Sequence, residues 1–313
     1  MNYRHLYHAG NVADLFKHAV LLLLIQRYLV KDKPFLLLDS HAGAGLYDVT
    51  SAEAQKTAEA QLGFVKLARA HHLPPLFARI CDVARQISAQ FGASAAQDSL
   101  PKPQNHLQFY PGSAILAGLG KRPIDRLILC EKHPEECQKL RQNLRRFGLA
   151  NLAIHERDGY EALRAFLPPP EQRGVIFIDP PYESPSEEHD CVNAVKFGLT
   201  KFPQGCFVAW YPIKNRVFAQ RFLAEFKNLP AKSILDVAIE HGDLTPPVKK
   251  SPKPAENSGK IREALIGSGM VIINPPWQIE GEIQALGQAL LTILGLPKGG
   301  VTAQWLISEN LGQ

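Results

Sequence analysis

No Cys-x-x-Cys pair occurs anywhere in the 313 residues. The five cysteines, Cys81, Cys130, Cys137, Cys191 and Cys206, are scattered, which argues against a zinc site and for reduced intracellular thiols. Cys130, His133 and Cys137 lie close together, but a fourth ligand is missing, so no metal is expected and Cys130 reads as core. Long apolar runs are also lacking. The segment Ala19-Val20-Leu21-Leu22-Leu23-Leu24-Ile25 is too short to span a bilayer, gives way to Gln26 and Arg27, and has no small-residue cleavage site. It reads as a buried helix; no targeting segment or membrane partner is visible, and the expected location is cytoplasmic. There is no Gly-x-Ser-x-Gly to partner His18, His41 or His133, and no G-x-G-x-x-G to cradle a pyrophosphate. Acidic charge is in deficit: the net charge of +5 is compatible with a polyanionic partner without requiring one.

What is present is an apolar run, Val175-Ile176-Phe177-Ile178, ending in Asp179-Pro180-Pro181-Tyr182. An acid at the end of a buried parallel strand, two prolines that stiffen the turn and then an aromatic ring suit the holding of a planar, amino-bearing base. The N6 amine of adenine is a poor nucleophile because its lone pair is delocalised into the ring. Hydrogen bonds to the Asp179 carboxylate and the Pro180 carbonyl would draw that nitrogen toward tetrahedral geometry and aim its lone pair at a methyl donor, with Tyr182 stacked on the base. The same residues also fit a strand ending in a proline turn, with a capping Asp and a packed Tyr.

A second tetrapeptide, Asn274-Pro275-Pro276-Trp277, follows Met270-Val271-Ile272-Ile273 in the same pattern. Strand order separates the two. Strands are predicted at Phe35–Asp39, Leu127–Glu131, Leu152–His155, Val175–Ile178, Cys206–Trp210, Ser233–Ile239 and Gly269–Asn274, alternating with helices. The expected fold class is α/β, a Rossmann-like S-adenosylmethionine-dependent methyltransferase fold with a seven-stranded mixed sheet whose last strand is antiparallel. Ligands bind outside the carboxyl ends of the parallel strands, so Asp179 is assigned to the reaction centre and the Asn274 tetrapeptide to a structural turn.

One domain over 1–313 is expected. About eighty residues separate the first two strands, more than a single crossover needs, so a small helical subdomain is expected at 46–110. Within it, Ala52–Ala70 and Pro75–Gly92 read as helical and Gly92–Asn105 as a loop. A helix is predicted from about Val12 to Leu29, and the crossover helix over Ala114–Leu119, with Ser113 near its amino end. The basic, aromatic start, Met1 to His8, reads equally as a nucleic-acid contact and as a loose end pinned by two tyrosines. The Pro- and Lys-rich stretch from His241 to Arg262 reads as a solvated linker or a flexible phosphate contact.

The turn His41-Ala42-Gly43-Ala44-Gly45 lets backbone approach a methionine moiety, Glu131 is placed to accept from ribose hydroxyls, and Asp158 from an adenine amino group. Each acid alone also reads as a helix cap or surface charge. Together, in that order along one sheet edge, they fit S-adenosylmethionine.

These motifs also resemble the RlmJ family of 23S ribosomal RNA adenine-N6 methyltransferases. The resemblance runs nearly end to end, through Tyr3-Arg4-His5, His8-Ala9-Gly10-Asn11, Asp14, Lys17-His18, Asp39 to Gly45, Tyr110-Pro111-Gly112-Ser113, Glu131-Lys132-His133-Pro134, Asp179 to Tyr182, Ala209-Trp210-Tyr211-Pro212 and Gly269 to Trp277. It implies cofactor contacts at His18, His41, Gly43, Ser113, Glu131, Asp158 and Gly159. It implies catalysis at Asp179 and a substrate contact at Tyr3; the motif itself adds Pro180 and Tyr182 beside Asp179, and Lys17 and Tyr182 are also assigned to the substrate. S-adenosylhomocysteine would be the product, no metal would be needed, and the partner would be 23S rRNA, as free RNA or an early large-subunit precursor, met by a monomer. Two loops, Gly92–Asn105 and the one after His241, are longer than the family leads one to expect. An adenine-N6 methyltransferase acting on DNA, or a donor-binding RNA assembly factor without turnover, are the alternatives.

Overall fold

The computed structural model describes residues 5–91, 107–242, 244 and 265–308. Helix α1 (Val12–Leu29) starts where the Asn11 side chain accepts from Asp14 N at 2.9 Å, satisfying one of the free amides of the first turn. Every residue from Val12 to Ile25 is buried, the polar Asp14, Lys17 and His18 in its first two turns included. It packs against the sheet and three further helices.

The sheet begins with β1 (Leu36–Asp39), after which a short strand β2 (Leu46–Asp48) opens the predicted insertion. The expected helical run over Ala52–Ala70 is broken into α2 (Ala52–Thr57), α3 (Glu59–Leu62) and α4 (Phe64–Ala68). The breaks have local causes. Ala58 takes φ +56°, and Gly63 lies so close to Gly10 that a Cβ would strike the Gly10 carbonyl, which instead accepts from Phe64 N at 2.8 Å. Helix α5 (Pro75–Phe91) follows, and β3 (Phe109–Pro111) closes the segment by pairing antiparallel with β2, Tyr47 opposite Tyr110. The insertion is thus helical with a two-stranded ribbon at its base.

Beyond it come α6 (Ser113–Gly120), β4 (Arg126–Glu131), α7 (Pro134–Arg145), β5 (Leu152–Glu156), α8 (Gly159–Phe166), β6 (Gly174–Ile178), α9 (Glu187–Lys201) and β7 (Cys206–Ile213). The chain ends with α10 (Arg216–Phe226), β8 (Ile234–Glu240), β9 (Gly267–Ile273), α11 (Glu280–Ile293) and β10 (Gly300–Ile307). The main sheet has the order β10-β8-β9-β7-β6-β1-β4-β5. Strands β7, β6, β1, β4 and β5 are mutually parallel, while β9 runs antiparallel to both β7 and β8.

The α/β class is as expected, but the sheet has eight strands rather than seven. The strand predicted to be last, now β9, is antiparallel yet is followed by β10, which pairs antiparallel with β8. β10 is an edge strand with no fully buried residue, and Trp305 is exposed, so it lacks the apolar signature of the central strands.

Alternate residues of β6 feed two cores. Val175 and Phe177 join α1, α5, α6 and α11 on one face, while Ile176 and Ile178 join α8, α9 and α10 on the other. Burial on both faces explains the unbroken apolar run, each such side chain contributing about 1.5–3 kcal/mol. Cys130 is buried in the second core. From β1 the chain moves outward through β4 to β5, then crosses back to β6 on the other side of β1. The strand order reverses between β1 and β6, and the crevice of a parallel sheet opens at such a point.

Candidate active site

A cavity of about 1100 Å3 lies at that reversal. Asp179, the residue after β6, enters it with one oxygen already engaged: Lys17 Nζ donates to Asp179 Oδ2 at 2.7 Å. Lys17 sits one helical turn beyond Asp14 on α1, and its ammonium also lies 3.1 Å from Asp14 Oδ1 and 4.6 Å from the centre of the Trp210 ring. Burial disfavours the Lys17 charge, but the Asp179 and Asp14 carboxylates outweigh it and hold the pKa above the ordinary lysine value. Asp14 is completed by Gly10 N at 2.9 Å and His5 Nε2 at 3.0 Å. Burial works against the Asp14 anion too, yet His5 and Lys17 keep its pKa well below the usual carboxylate range. Lys17, expected as a substrate contact, lines the cavity, is 4% exposed at its side chain and is brought to the candidate catalytic acid.

Tyr182 takes φ +51°, uncommon for a bulky residue, and is held there. Its hydroxyl donates to Trp210 O at 2.7 Å, and the Phe218 and Phe222 rings meet it nearly at right angles. Pro180, Pro181 and Tyr182 all line the cavity.

The other half of the cavity is built from the carboxyl ends of β1, β4 and β5. Gly43 has φ +57°, and a Cβ there would run into the Tyr47 hydroxyl. Its N–H donates to Glu131 Oε2 at 2.9 Å, while His133 N donates to Glu131 Oε1 at 2.7 Å, so Glu131 fixes the glycine turn as well as facing the cavity. Burial raises the Glu131 pKa. Asp158 Oδ1 accepts from Tyr160 N at 2.9 Å as the cap of α8, and Lys132 Nζ donates to Oδ2 at 2.9 Å. Burial opposes the Asp158 charge, but Lys132 and the cap amides prevail and lower its pKa. Asp158 thus caps α8 and also lines the cavity. Gly159 is needed for close approach, since a Cβ would strike the Ser40 carbonyl and the His41 ring.

Burial drives His41 down to about 4 and His18 to about 3, so both rings are neutral. Ser40 Oγ donates to Phe177 O at 3.1 Å, so the 2.7 Å contact of Ser40 Oγ with His41 Nδ1 makes Nδ1 the donor and leaves Nε2 an acceptor beside Gly159. His18 Nδ1 shares a 2.6 Å hydrogen bond with Tyr110 OH. Ser113 Oγ donates to Asp39 Oδ2 at 2.6 Å, and His41 N donates to Asp39 Oδ1 at 3.1 Å.

Asp39, which sequence reasoning did not single out, does not line the cavity but holds Ser113 and His41, which do; an acid ending an all-apolar strand was a visible signal. Burial pushes it up to about 7. Trp210 and Asp14 were likewise not singled out as site residues. Tyr3 lies outside the described residues, as do most of the two long loops. The described flanks of the second loop, His241, Leu244 and Leu265, line the cavity. Asn274 does not. Its Nδ2 donates to Pro203 O and Gly205 O at 2.9 Å, at the amino end of β7 and so at the opposite end of the sheet from Asp179.

The residues fit a nucleoside-bearing methyl donor: a glycine turn without room for side chains, paired acceptors at Glu131 and Asp158, and a neutral imidazole acceptor at His41. The family model described as ribosomal RNA large subunit methyltransferase D, RlmJ, matches residues 32–307. Two relatives bear the name ribosomal RNA large subunit methyltransferase J, one from Escherichia coli K12 and one from Haemophilus influenzae. Each is 31% identical over 310 residues, covering 99% of this chain and all of the relative. A crystal structure of a Legionella pneumophila protein is similar at 32% identity and a TM-score of 0.77, covering 95% of this chain and 98% of that one.

Proposed function

This chain belongs to the RlmJ family of large-subunit ribosomal RNA methyltransferases, and we propose that it transfers a methyl group from S-adenosylmethionine to the N6 amine of an adenine in 23S rRNA. The observation that carries this reading is the placement of Asp179. It stands at the strand-order reversal, across one cavity from the Gly43 turn and the Glu131 and Asp158 carboxylates, with Oδ2 fastened to Lys17.

In this reading Glu131 accepts from the ribose hydroxyls of the donor, Asp158 and His41 receive its adenine, and the turn at Gly43 lies along its methionine part. His18 and Ser113 hold that side in place through Tyr110 and Asp39. The donor supplies an electrophilic methyl carbon on a neutral leaving group, so metal activation is not needed. With Oδ2 occupied, Asp179 Oδ1 is the free acceptor for the substrate amine, and Pro180 O is the second. Tyr182, locked by Trp210 O, gives the base a fixed aromatic wall. The nitrogen loses a proton after attack, and Asp179 or solvent receives it. Flipping the adenine out of the RNA stack lets it reach this depth. We place the enzyme in the cytoplasm as a monomer acting on free RNA or an early subunit precursor; among the described residues no helix is long and apolar enough to cross a membrane.

The test is incubation with isotope-labelled donor and, separately, deproteinised large-subunit RNA, intact large subunits and duplex DNA, followed by nucleoside analysis. Label is expected in N6-methyladenosine from RNA. Label in DNA alone, or binding of donor without transfer to any of the three, overturns the proposal.

A further inference from the structure

The cavity divides at Asp179. Strands β1, β4 and β5 carry the acceptors assigned to the methyl donor, so the nucleic acid enters from the other side, where β7 and β8 end. A flipped nucleotide brings its flanking phosphates to that mouth, and these require positive charge.

The cations lining the cavity are nearly all engaged or neutral. Lys17 is bound to Asp179 and Asp14 and Lys132 to Asp158, while Lys56, also without a carboxylate partner among the described residues, is exposed on α2, away from the β7 side, 5.9 Å from the Tyr7 ring. His18 and His41 are neutral. Lys214 differs: it lines the cavity, is half-buried, and has no carboxylate partner among the described residues. Its neighbour Arg216, by contrast, reaches Glu240 at 3.3 Å.

The backbone holding Lys214 is fixed on both sides. Ile213 O accepts from Ile266 N at 2.9 Å, and the Asn215 side chain accepts from Phe218 N at 2.8 Å to cap α10. A half-buried ammonium on a fixed turn, without its own counter-ion, is suited to a phosphate delivered by the ligand.

We propose that Lys214 is a substrate-binding residue that neutralises a phosphate flanking the target adenosine. The inference rests on the RNA methyltransferase reading above. It assigns Lys214 to binding alone, since the donor and the reacting amine are held by other residues.

The test compares wild type with Lys214→Ala and Lys214→Arg on an RNA fragment containing the adenosine that the wild type methylates. Lys214→Ala is expected to raise KM for RNA about five- to tenfold, leave kcat and donor affinity unchanged, and lower the slope of log kcat/KM against log salt by roughly one. Lys214→Arg is expected to recover most of the loss. RNA carrying an uncharged methylphosphonate at one of the two flanking phosphates should cost the wild type a similar factor and the alanine variant little more. An unchanged KM and salt slope, a loss confined to kcat, or fully additive effects at both phosphates overturn the assignment of Lys214 while leaving the methyltransferase reading intact. A wild type that methylates no RNA overturns both.

Discussion

Lys17 Nζ lies 2.7 Å from Asp179 Oδ2, joining two residues 162 positions apart across the buried interface between α1 and the end of β6. Because Asp14 shares the same ammonium, removing it leaves Asp179 without its cation and Asp14 with His5 alone. Lys17→Ala is expected to cost on the order of 3 kcal/mol of stability. It should also lower kcat by about a hundredfold through loss of Asp179 orientation. Thermal melts and turnover at saturating donor check both; a variant as active and stable as wild type would show the pair to be incidental.

Asp179→Asn keeps the shape of the side chain but removes the anionic acceptor. Turnover should fall by about a hundred- to ten-thousandfold, while donor affinity by calorimetry stays near that of wild type. Strong residual activity would rule out the assigned role.

Gly159 sits where a Cβ would collide with backbone, the Ser40 carbonyl, so the neighbour cannot simply rotate away. Gly159→Ala is expected to weaken donor binding by at least about tenfold as α8 is pushed from the turn after β1. Equal donor affinity in the two proteins would contradict that geometry.

Asn274 tests the choice between the two proline motifs. Asn274→Ala removes two hydrogen bonds to carbonyls and places alanine at φ +50°, so stability should fall by about 1–3 kcal/mol. Activity per folded molecule should be unchanged. A selective loss of turnover in a fully folded variant would reverse the assignment.

A pH effect is expected at a pair that does not line the cavity. Tyr211 OH donates to Asp236 Oδ1 at 2.7 Å inside the second core, and burial pushes Asp236 up to about 6. The folded state therefore holds this proton more tightly than the unfolded chain. The contribution is present below the ordinary aspartate pKa and is lost as pH rises through about 6. Asp236→Asn should flatten that decline and raise the melting temperature relative to wild type more at pH 8 than at pH 4. An identical pH dependence in the two proteins would exclude Asp236 as its source.

Legibility in the sequence followed the range of the interaction. Asp179 and Glu131 announce themselves because each stands at the end of an apolar run, and Asp158 because it follows a predicted strand; the strand-end position is a local property. Gly43 was readable for the same reason. The Lys17 partnership was not, since nothing near Lys17 indicates which strand end α1 will cross. Ser113 and His18 were ordinary residues until the resemblance marked them, and their hydrogen bonds to Asp39 and Tyr110 are also long-range. The break at Gly63 depends on Gly10 lying against it, which composition cannot reveal. β10 escaped notice because an exposed edge does not require an apolar sequence.

The ribbon of β2 and β3 has one further consequence. Gly112 N donates to Gly45 O at 2.8 Å, so the chain leaves the cofactor turn and returns to it at nearly the same point. The segment between is closed at its base, while α5 packed on α1 and Gly63 set against Gly10 bind its helices to the body of the fold. A substitution on the buried face of α5 is therefore felt by α1, the helix that carries Lys17 to Asp179.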